Sequence, residues 1–372
     1  MRDVIRVRFA TNRNQTADGT LFGSSFRNDG IFFVTGSIDV RHEGGSPHPN
    51  WVPDPNSLHI DPGHMTLASI PQAIAAPDSS ANTISDFIDK LTHRGSRLGK
   101  TPNTSGIVFL PGFDNTFLTA MSSSAQITSA YGASDVFCFS WPSQGEFGLP
   151  PYLTDRESAY RSGTAIALAL IAIFSKVHRF EKSQWPNLHL VSHSMGNRAL
   201  SAAIQNISIS AHELLSDNYF EYALLMAADE DYDALKEPNK LMQLLTLANN
   251  IDVYTNDSDA AMLLSNYVNF HAPLGSFGPA DFDKLPDRVV WIDCTDVGTT
   301  YENDGSNDWG HQYYRNSEPV AADVNQVLRG VPTERISPRL PDSQFPTRKF
   351  VIPFQVNTAW ATRRGYGRLA KV

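Results

Sequence analysis

Hydrophobic and polar positions follow two different periods along this chain, and the order of the two periods predicts a fold class. From residue 106 onward, short apolar runs alternate with segments in which apolar residues recur every three or four positions. The short runs are typical of strands buried in a sheet, and the longer period is typical of helices that bury one face. Repeated alternation of strand and helix predicts an α/β architecture with a parallel sheet.

One boundary between a strand and a helix carries a distinctive motif. The apolar run 188–191 (LHLV) leads directly into residues 192–196, which read SHSMG. Helical spacing then follows at Leu200, Ala203, Ile204 and Ile207. A serine at the apex of a sharp turn between a strand and a helix is the context of a nucleophile elbow.

The sharpness of this turn distinguishes its two serines. The positions two before and two after an elbow nucleophile must be small, because the backbone turns back on itself there. Around Ser194 these positions hold Ser192 and Gly196, whereas Ser192 would have the bulky Leu190 two residues before it. The pattern therefore predicts Ser194 as the nucleophile.

A base for this serine is expected later in the chain, because triads in this context follow the order Ser, Asp or Glu, His. His311 lies in a polar, glycine-rich loop between the strand-like residues 288–293 and the helix-spaced residues 320–328. His271 also lies in a downstream loop close to strand ends, and His193 adjoins the serine but points elsewhere by strand-turn geometry. The position between the last strand and the last helix favours His311 as the base.

The acid of the triad has several candidates. Residues 251–255 alternate like a strand, and Asp257 and Asp259 come just after it. Residues 222–228 form an earlier apolar run that is followed by Asp231. Each of these carboxylates could instead cap a helix or lie in a solvated turn, so the pattern alone leaves all three open.

An oxyanion hole needs two backbone N–H groups aimed at the developing negative charge. One is expected from Met195, the residue after the nucleophile, and the other from a loop after an earlier strand. The apolar run 106–110 leads into such a loop, where Gly112 allows the backbone to turn without a side-chain clash. The pattern therefore predicts the N–H of Phe113 as the second donor.

Taken together, these motifs resemble a bacterial family of α/β-hydrolases of unknown function that is distantly similar to esterases and lipases. The motifs that carry the resemblance are PGFDNTF at 111–117, FSWPS at 139–143, HSMGNR at 193–198 and GHQYY at 310–314. Residues 9–13, FATNR, fit the opening of the same family. The similarity covers roughly residues 4–330, with the motifs in the expected order.

The resemblance implies an α/β-hydrolase fold with a mostly parallel central sheet flanked by helices. Residues 1–100, with short strands at 5–10, 31–34 and 37–40, are expected to form a strand-rich N-terminal elaboration packed on the core. We expect the catalytic core to span residues 101–335 and a C-terminal extension to span residues 336–372.

The resemblance also implies roles for individual residues. Ser194 would be the nucleophile, His311 the base, and Asp259 is favoured over Asp257 as the acid. The expected activity is hydrolysis of a carboxylic ester through an acyl-enzyme intermediate. Two alternatives remain open: an amidase or peptidase with the same triad, and a non-catalytic binding protein on a hydrolase fold.

Composition limits the classes of partner and the cellular location that we expect. The chain of 372 residues carries a formal net charge of −9, which argues against nucleic acid as a partner because phosphate binders need a basic face. The longest apolar run, 165–174, is far shorter than the roughly 20 residues of a membrane span. The first eight residues alternate like a strand instead of resembling a signal peptide. We therefore expect no integral membrane segment and a cytoplasmic location.

The expected substrate is a small neutral ester, with no cofactor and no metal. No Cys/His spacing suggests a zinc site. The loops 144–156 and 266–286 are expected to shape the pocket, since ligands bind beyond the carboxyl ends of parallel strands. Aromatic residues expected around it are Phe147, Tyr152, Tyr267, Phe270, Phe277 and Trp309. Such a lining favours apolar over anionic substrates.

Overall fold

A large mixed sheet forms the centre of the computed structural model, which describes residues 3–30, 32–44, 50–65, 82–98, 104–238, 240–269, 271–297 and 310–353. The strands are, in chain order, β1 (Val4–Thr11), β2 (Arg13–Gln15), β3 (Phe22–Phe26), β4 (Phe33–Glu43), β5 (Asn50–Pro53), β6 (His59–Met65), β7 (Ser105–Leu110), β8 (Asp135–Ser140), β9 (Asn187–His193), β10 (Phe220–Met226), β11 (Ala248–Thr255), β12 (Val289–Asp293), β13 (Leu340–Pro341) and β14 (Lys349–Val351). All of them except the β2–β3 pair belong to the central sheet.

Most neighbouring strands of the central sheet are parallel. The order is β13-β14-β12-β11-β10-β9-β7-β8-β1-β4-β5, and β6 pairs with β4. Every neighbouring pair from β14 to β1 is parallel, whereas β4 is antiparallel to β1 and β13 is antiparallel to β14. The prediction of a mostly parallel central sheet is confirmed.

Helices cover both faces of the sheet. The α-helices are α1 (Asn82–Leu98), α2 (Phe117–Ala130), α3 (Leu149–Val177), α4 (Gly196–Ser210), α5 (Leu244–Leu247), α6 (Ala260–Asn269), α7 (Leu274–Phe277), α8 (Tyr313–Asn316) and α9 (Glu318–Leu328). Alternate residues of β7 face opposite sides. Val108 and Leu110 join a core cluster with α1, α3 and α4, whereas Ile107 and Phe109 join one with α2 and α9. Burial on both faces explains why β7 is apolar along its length.

Two local expectations are wrong. The strands expected at 31–34 and 37–40 are not separate, because β4 begins at Phe33 and runs unbroken through Gly36; residue 31 lies outside the described residues. A Cβ at Gly36 would lie 2.1 Å from the backbone oxygen of His59, so this glycine serves the close approach of β6 and does not break the strand. The loop expected at 144–156 is also shorter, because α3 begins at Leu149 with proline in its first turn. Proline is tolerated there since the first helical N–H groups have no partner within the helix.

The sheet crosses both of the expected domain boundaries. β1 pairs with β8 in parallel, with Phe9 opposite Cys138. At the other edge β14 pairs with β12, with Phe350 opposite Ile292, so β12 is not the last strand of the chain. The division of the chain at residues 100 and 335 stays a prediction, but strands from outside 101–335 belong to the same sheet.

Helix α3 is long and apolar enough, by length and composition, to cross a membrane. In this fold 83% of its most apolar stretch is buried. It packs closely on α4, where a Cβ at Gly163 would lie 2.6 Å from the Cβ of Ala202. Packing against the protein core therefore accounts for its apolar character.

Candidate active site

Loops that follow neighbouring parallel strands meet at one edge of the sheet. Phe113 follows β7, Ser194 follows β9, Asp229 follows β10, Asp259 follows β11 and His311 follows β12. The carboxyl ends of parallel strands share an edge, and this edge is where ligands bind in open α/β sheets. The strand order β12-β11-β10-β9-β7 therefore brings residues that are distant in sequence to one site.

Ser194 lies at the apex of a strained turn. Its φ angle is 52°, in the left-handed region that residues other than glycine rarely adopt. Hydrogen bonds on both sides hold this conformation: the Ser194 N–H donates to Met226 O at 2.9 Å, and the Asp229 N–H donates to Ser194 O at 3.1 Å. Such strain persists only where the surroundings impose it, and it concentrates at functional sites.

The turn is tight because the backbone of a neighbouring loop packs directly against it. A Cβ at Gly196 would lie 2.5 Å from the backbone oxygen of Leu110, and a Cβ at Gly112 would lie 2.7 Å from the Cβ of Ser194. The loop after β7 thus lies directly against the elbow. Ser192 is completely buried and its hydroxyl has no hydrogen-bond partner among the described residues.

His311 and Asp259 form a buried pair. Their Nδ1 and Oδ2 atoms are 2.6 Å apart, and Asp259 is fully buried. The other oxygen, Oδ1, accepts hydrogen bonds from the backbone N–H groups of Ala261 and Met262 at the start of α6. With Nδ1 donating to the carboxylate, the neutral imidazole has its basic lone pair on Nε2. The sequence left helix capping and triad membership as alternatives, and Asp259 has the contacts of both.

The other candidates are engaged differently. Asp257 is exposed and accepts a hydrogen bond from the Ser258 hydroxyl. Asp231 forms an ion pair with Lys240, at 2.9 Å. His271 is exposed. Of the acids and histidines considered from the sequence, the structure brings Asp259 and His311 into contact with each other.

A further contact holds the His311 loop against the Asp259 loop. The Asn256 side chain donates from Nδ2 to the backbone oxygen of Gly310, at 3.0 Å, and accepts at Oδ1 from the Ser258 N–H, at 2.9 Å. Gly310 has a φ angle of 75°, which glycine adopts without strain. Asn256 therefore fixes the spacing of the two loops that carry the His–Asp pair.

Two backbone N–H groups near Ser194 are the candidates for an oxyanion hole. They belong to Met195, which follows the serine, and to Phe113, in the loop that lies against it. Within the part of the chain that the structure describes, neither N–H donates a hydrogen bond. Both residues are buried, so unpaired N–H groups here carry a free-energy cost unless a ligand accepts from them.

The model of one protein family, described as "Alpha/beta hydrolase of unknown function (DUF900)", matches residues 89–329. The chain belongs to this family. The resemblance that the sequence motifs suggested is thus confirmed, as is the α/β-hydrolase fold. No curated protein sequence matches the chain.

One solved structure with a weak likeness to this α/β-hydrolase is "Trichoderma reesei cutinase in complex with a C11Y4 phosphonate inhibitor". The two chains share 15% sequence identity and the TM-score is 0.23. The match covers 44% of this chain and 69% of the cutinase chain. A likeness this weak says nothing about the activity of this member of the family.

His193 occupies a buried position behind the site that sequence reasoning did not foresee. Its ring stacks on Tyr314 with centroids 4.0 Å apart, and its Nε2 donates to the backbone oxygen of His311 at 3.2 Å. Burial, and the nearby His311, hold the pKa of His193 well below its ordinary value. A neutral His193 therefore supports the His311 loop. Its place directly before Ser194 was the sequence signal that pointed to the site.

Asp229 also has a part in this edge that the sequence did not reveal. It is buried beside Ser194 and accepts from the Tyr152 hydroxyl at 2.8 Å, the Ser265 hydroxyl at 2.6 Å and Arg198 Nε at 3.2 Å. Its three donors come from α3, α6 and α4. The sequence pointed to this cluster around Asp229 through Arg198, which lies within the HSMGNR motif.

A cavity of about 530 Å³ lies at the opposite edge of the sheet. Asn187, Tyr219 and Asn249 line it at the amino ends of β9, β10 and β11, together with Trp185. It is separated from Ser194 by the length of the strands, so it is not the substrate pocket of the site described above.

Among the described residues, no group of three or more His, Cys, Asp or Glu side chains is arranged to hold a metal ion. Phe270 and Trp309, which the sequence analysis places near the pocket, lie outside the described residues. Phe147, Tyr267 and Phe277 are described and are all more than half exposed.

Proposed function

We propose that this protein is a serine hydrolase that cleaves carboxylic esters, with Ser194, His311 and Asp259 as its catalytic triad. The observation that carries the proposal is the 2.6 Å contact between His311 Nδ1 and buried Asp259, at the sheet edge where Ser194 occupies its strained turn. A carboxylate bound to Nδ1 selects the tautomer in which Nε2 accepts a proton.

The reaction begins when His311 Nε2 takes the proton from Ser194 Oγ and Oγ bonds to the carbonyl carbon of the ester. The resulting oxyanion accepts from the N–H groups of Met195 and Phe113. His311 then gives its proton to the departing alcohol as the C–O bond breaks, which leaves an acyl-enzyme. Water then attacks the acyl carbon while His311 takes its proton. His311 returns that proton to Ser194 Oγ as the bond between Oγ and the acyl carbon breaks, which releases the acid and restores the serine.

Asp259 contributes by holding the imidazole and stabilising it when it is charged. Its second oxygen is occupied by the N–H groups of Ala261 and Met262. These bonds fix the carboxylate at the start of α6 and leave Oδ2 directed to His311. The acid is therefore positioned before substrate binds, which lowers the cost of reorganisation during the reaction.

The expected substrate is a neutral ester with an apolar group. Phe113, whose N–H belongs to the oxyanion hole, packs near Phe147 and Tyr152 with ring centroids 6.0 and 5.7 Å away. Leu149 and Leu153, in the first two turns of α3 and so close in sequence to Phe147 and Tyr152, are exposed. Apolar side chains exposed at the mouth of a site favour ligands that bury carbon surface, at about 25 cal/mol per Å².

Labelling with a fluorophosphonate tests the proposal directly. The probe should modify the wild-type protein at Ser194, and Ser194→Ala should abolish both labelling and hydrolysis of a short-chain nitrophenyl ester. Ser192→Ala is the matched control, because Ser192 is two residues away and buried. Equal labelling of both variants would remove Ser194 from the mechanism. In the wild-type protein, paired ester and amide substrates with the same acyl group show which of the two bonds is preferred.

A further inference from the structure

The oxyanion loop, residues 111–116 between β7 and α2, is organised by the side chain of Asn115. Its amide Nδ2 donates to the backbone oxygens of Gly112, at 3.1 Å, and of Phe113, at 3.0 Å. These are the carbonyls on either side of Phe113. One side-chain amide therefore binds both carbonyls that flank the predicted oxyanion donor.

The orientation of the Phe113 N–H follows from this contact. The carbonyl of Gly112 and the N–H of Phe113 belong to one peptide group, which is planar and trans, so the two bonds point in opposite directions. When Asn115 holds the Gly112 oxygen on one side, the Phe113 N–H must point to the other. A carbonyl that accepts a hydrogen bond also polarises its own peptide group and makes the N–H a stronger donor.

Asn115 is itself held by residues distant in sequence. Arg13 Nη2 donates to the backbone oxygen of Asn115 at 2.6 Å, and the Asn115 N–H donates to the Ser143 hydroxyl at 3.1 Å. Ser143 in turn donates to Asp155. Both backbone groups of Asn115 are thus fixed.

Arg13 is built into the core for this contact. It is 1% exposed, and its remaining bonds go to the Ser140 hydroxyl and to the backbone oxygens of Gly23 and Ser143. A buried guanidinium is costly unless each N–H finds an acceptor. Its planar fork can bind several carbonyls in fixed directions, which a lysine cannot do.

The loop contains a residue in the left-handed region of backbone conformation. Asp114, between Phe113 and Asn115, has a φ angle of 60°. A non-glycine residue in this region is held there by its surroundings. Among the described positive-φ residues other than glycine are Asp114 and Ser194, which lie on the two facing loops of the site.

We propose that Asn115, anchored by Arg13, is a positioning residue that aims the Phe113 N–H into the oxyanion hole; the inference rests on the function proposed above. It follows that β2, which contains Arg13, is part of the catalytic apparatus, although it lies outside the segment that matches the family. Arg13, the last residue of the segment 9–13 that resembles the opening of the family, acquires a physical role: it holds the backbone of Asn115 in the oxyanion loop.

The variants Asn115→Ala and Asn115→Asp test the proposal. The first removes the amide, and the second keeps its shape but replaces the donor with a carboxylate oxygen that repels the two carbonyls. We expect kcat for a soluble ester to fall by about 10- to 100-fold, since losing an oxyanion donor outright costs about 10²- to 10³-fold. KM should change by less than about twofold, because the ground-state carbonyl hardly uses the donor.

A matched control and a transition-state probe separate positioning from general damage. Asn206→Ala removes the same type of bond, from Asn206 Nδ2 to the backbone oxygen of Ala202 on α4, and should leave kcat unchanged. Affinity for an alkylboronic acid, which forms a tetrahedral adduct with the serine, should fall in the Asn115 variants by the same factor as kcat/KM. The pH profile of kcat/KM should keep its shape, because the His311–Asp259 pair is untouched.

Arg13→Lys extends the test to the anchor, and we expect a smaller loss of kcat in the same direction. Wild-type kcat in both Asn115 variants, or a loss shared by Asn206→Ala, would overturn the inference while leaving the triad standing. An increase in KM with unchanged kcat in the Asn115 variants would also overturn the inference. Failure of the wild-type protein to label at Ser194 would instead overturn the proposed function.

Discussion

Two buried aspartates at the ends of neighbouring strands show how a partner decides the role of a carboxylate. Asp229 follows β10 and Asp259 follows β11, and both are almost completely buried. Asp229 is bound by the permanently charged Arg198 and two hydroxyls. Asp259 is bound by His311, whose charge can change. The first pair is suited to fix structure, and the second to support a proton moving through an imidazole.

The largest effect is expected from Asp259→Asn. An amide at this position would stabilise the wrong tautomer of His311, and kcat should fall by roughly 10⁴-fold, as it does in serine proteases. Stability should change little, because an amide oxygen can still accept from Ala261 and Met262. The measurement is steady-state kinetics beside thermal unfolding.

Asp257→Asn is the control for this prediction, since Asp257 is exposed two residues away. A loss in Asp257→Asn as large as in Asp259→Asn would show that the contact seen here is not the one used in catalysis. A large loss confined to Asp231→Asn would move the acid to the earlier strand.

Asp229→Asn should instead lower the stability of the protein more than its activity. Removing the charge leaves the Arg198 guanidinium without its closest ion-pair partner. Breaking a buried ion pair typically costs roughly 3–5 kcal/mol. Glu230 and Asp231 lie 3.7 and 3.9 Å from Arg198 and soften the loss, so we expect a fall in the free energy of unfolding near the lower end of that range. Because the Asp229 N–H still binds Ser194, kcat should fall by no more than about tenfold.

A double variant, Asp229→Asn with Arg198→Met, sharpens the comparison. Removing both charges should recover part of the stability that Asp229→Asn loses, since no unpaired charge is left buried. Urea unfolding of the single and double variants measures this coupling. Additive losses would show that the two side chains do not act as a pair.

A third buried group, His189 on β9, has no hydrogen-bond partner among the described residues and stays neutral. Burial lowers its pKa to about 3, whereas in the unfolded chain it takes up a proton near the ordinary value of about 6.5. Its protonation therefore makes stability depend on pH only below about pH 6.5. Below that pH the unfolded state binds the extra proton, and stability falls by up to about 1.4 kcal/mol per pH unit until the folded protein protonates as well.

His189→Phe should remove this pH dependence. We expect the difference in free energy of unfolding, variant minus parent, to increase steadily as the pH falls from 6.5 to 4.5. The exposed His212 provides the control through His212→Phe, which should leave the slope unchanged. A parallel slope in His189→Phe and its parent would mean that this imidazole is not the group that titrates.

The smallest effect concerns acids at the surface of the site. Partial burial and the nearby Glu146 raise the pKa of Asp114 in the oxyanion loop, and Glu146 is exposed. We expect neutral esters to be preferred over matched anionic ones, and Glu146→Gln to raise kcat/KM for the anionic ester about two- to threefold at low salt. The gain should vanish near 1 M salt, where charges are screened beyond about 3 Å. A preference for the anionic ester would indicate a basic site.

Much of this site could be predicted because its requirements are local in sequence. The elbow needs small residues two positions from Ser194 and a strand that runs straight into a helix, and both are visible in residues 188–207. His311 could be placed in the loop between β12 and the last helix by the order of strands and helices, although β12 is not the last strand of the chain. Asp259 could not be separated from Asp257 by pattern, because adjacent loop positions differ in direction and burial, not in residue type.

The sequence by itself determined the alternation of strands and helices, and hence a parallel sheet whose loops meet at one edge, because backbone periodicity and burial are properties of short segments. Only the tertiary structure decided which side chains meet there. Arg13 reaches Asn115 across 102 residues, and Asp229 gathers donors from three helices. Such contacts depend on how distant elements pack, and no local pattern of apolar and polar residues encodes a bond between a side chain and a carbonyl on another strand's loop.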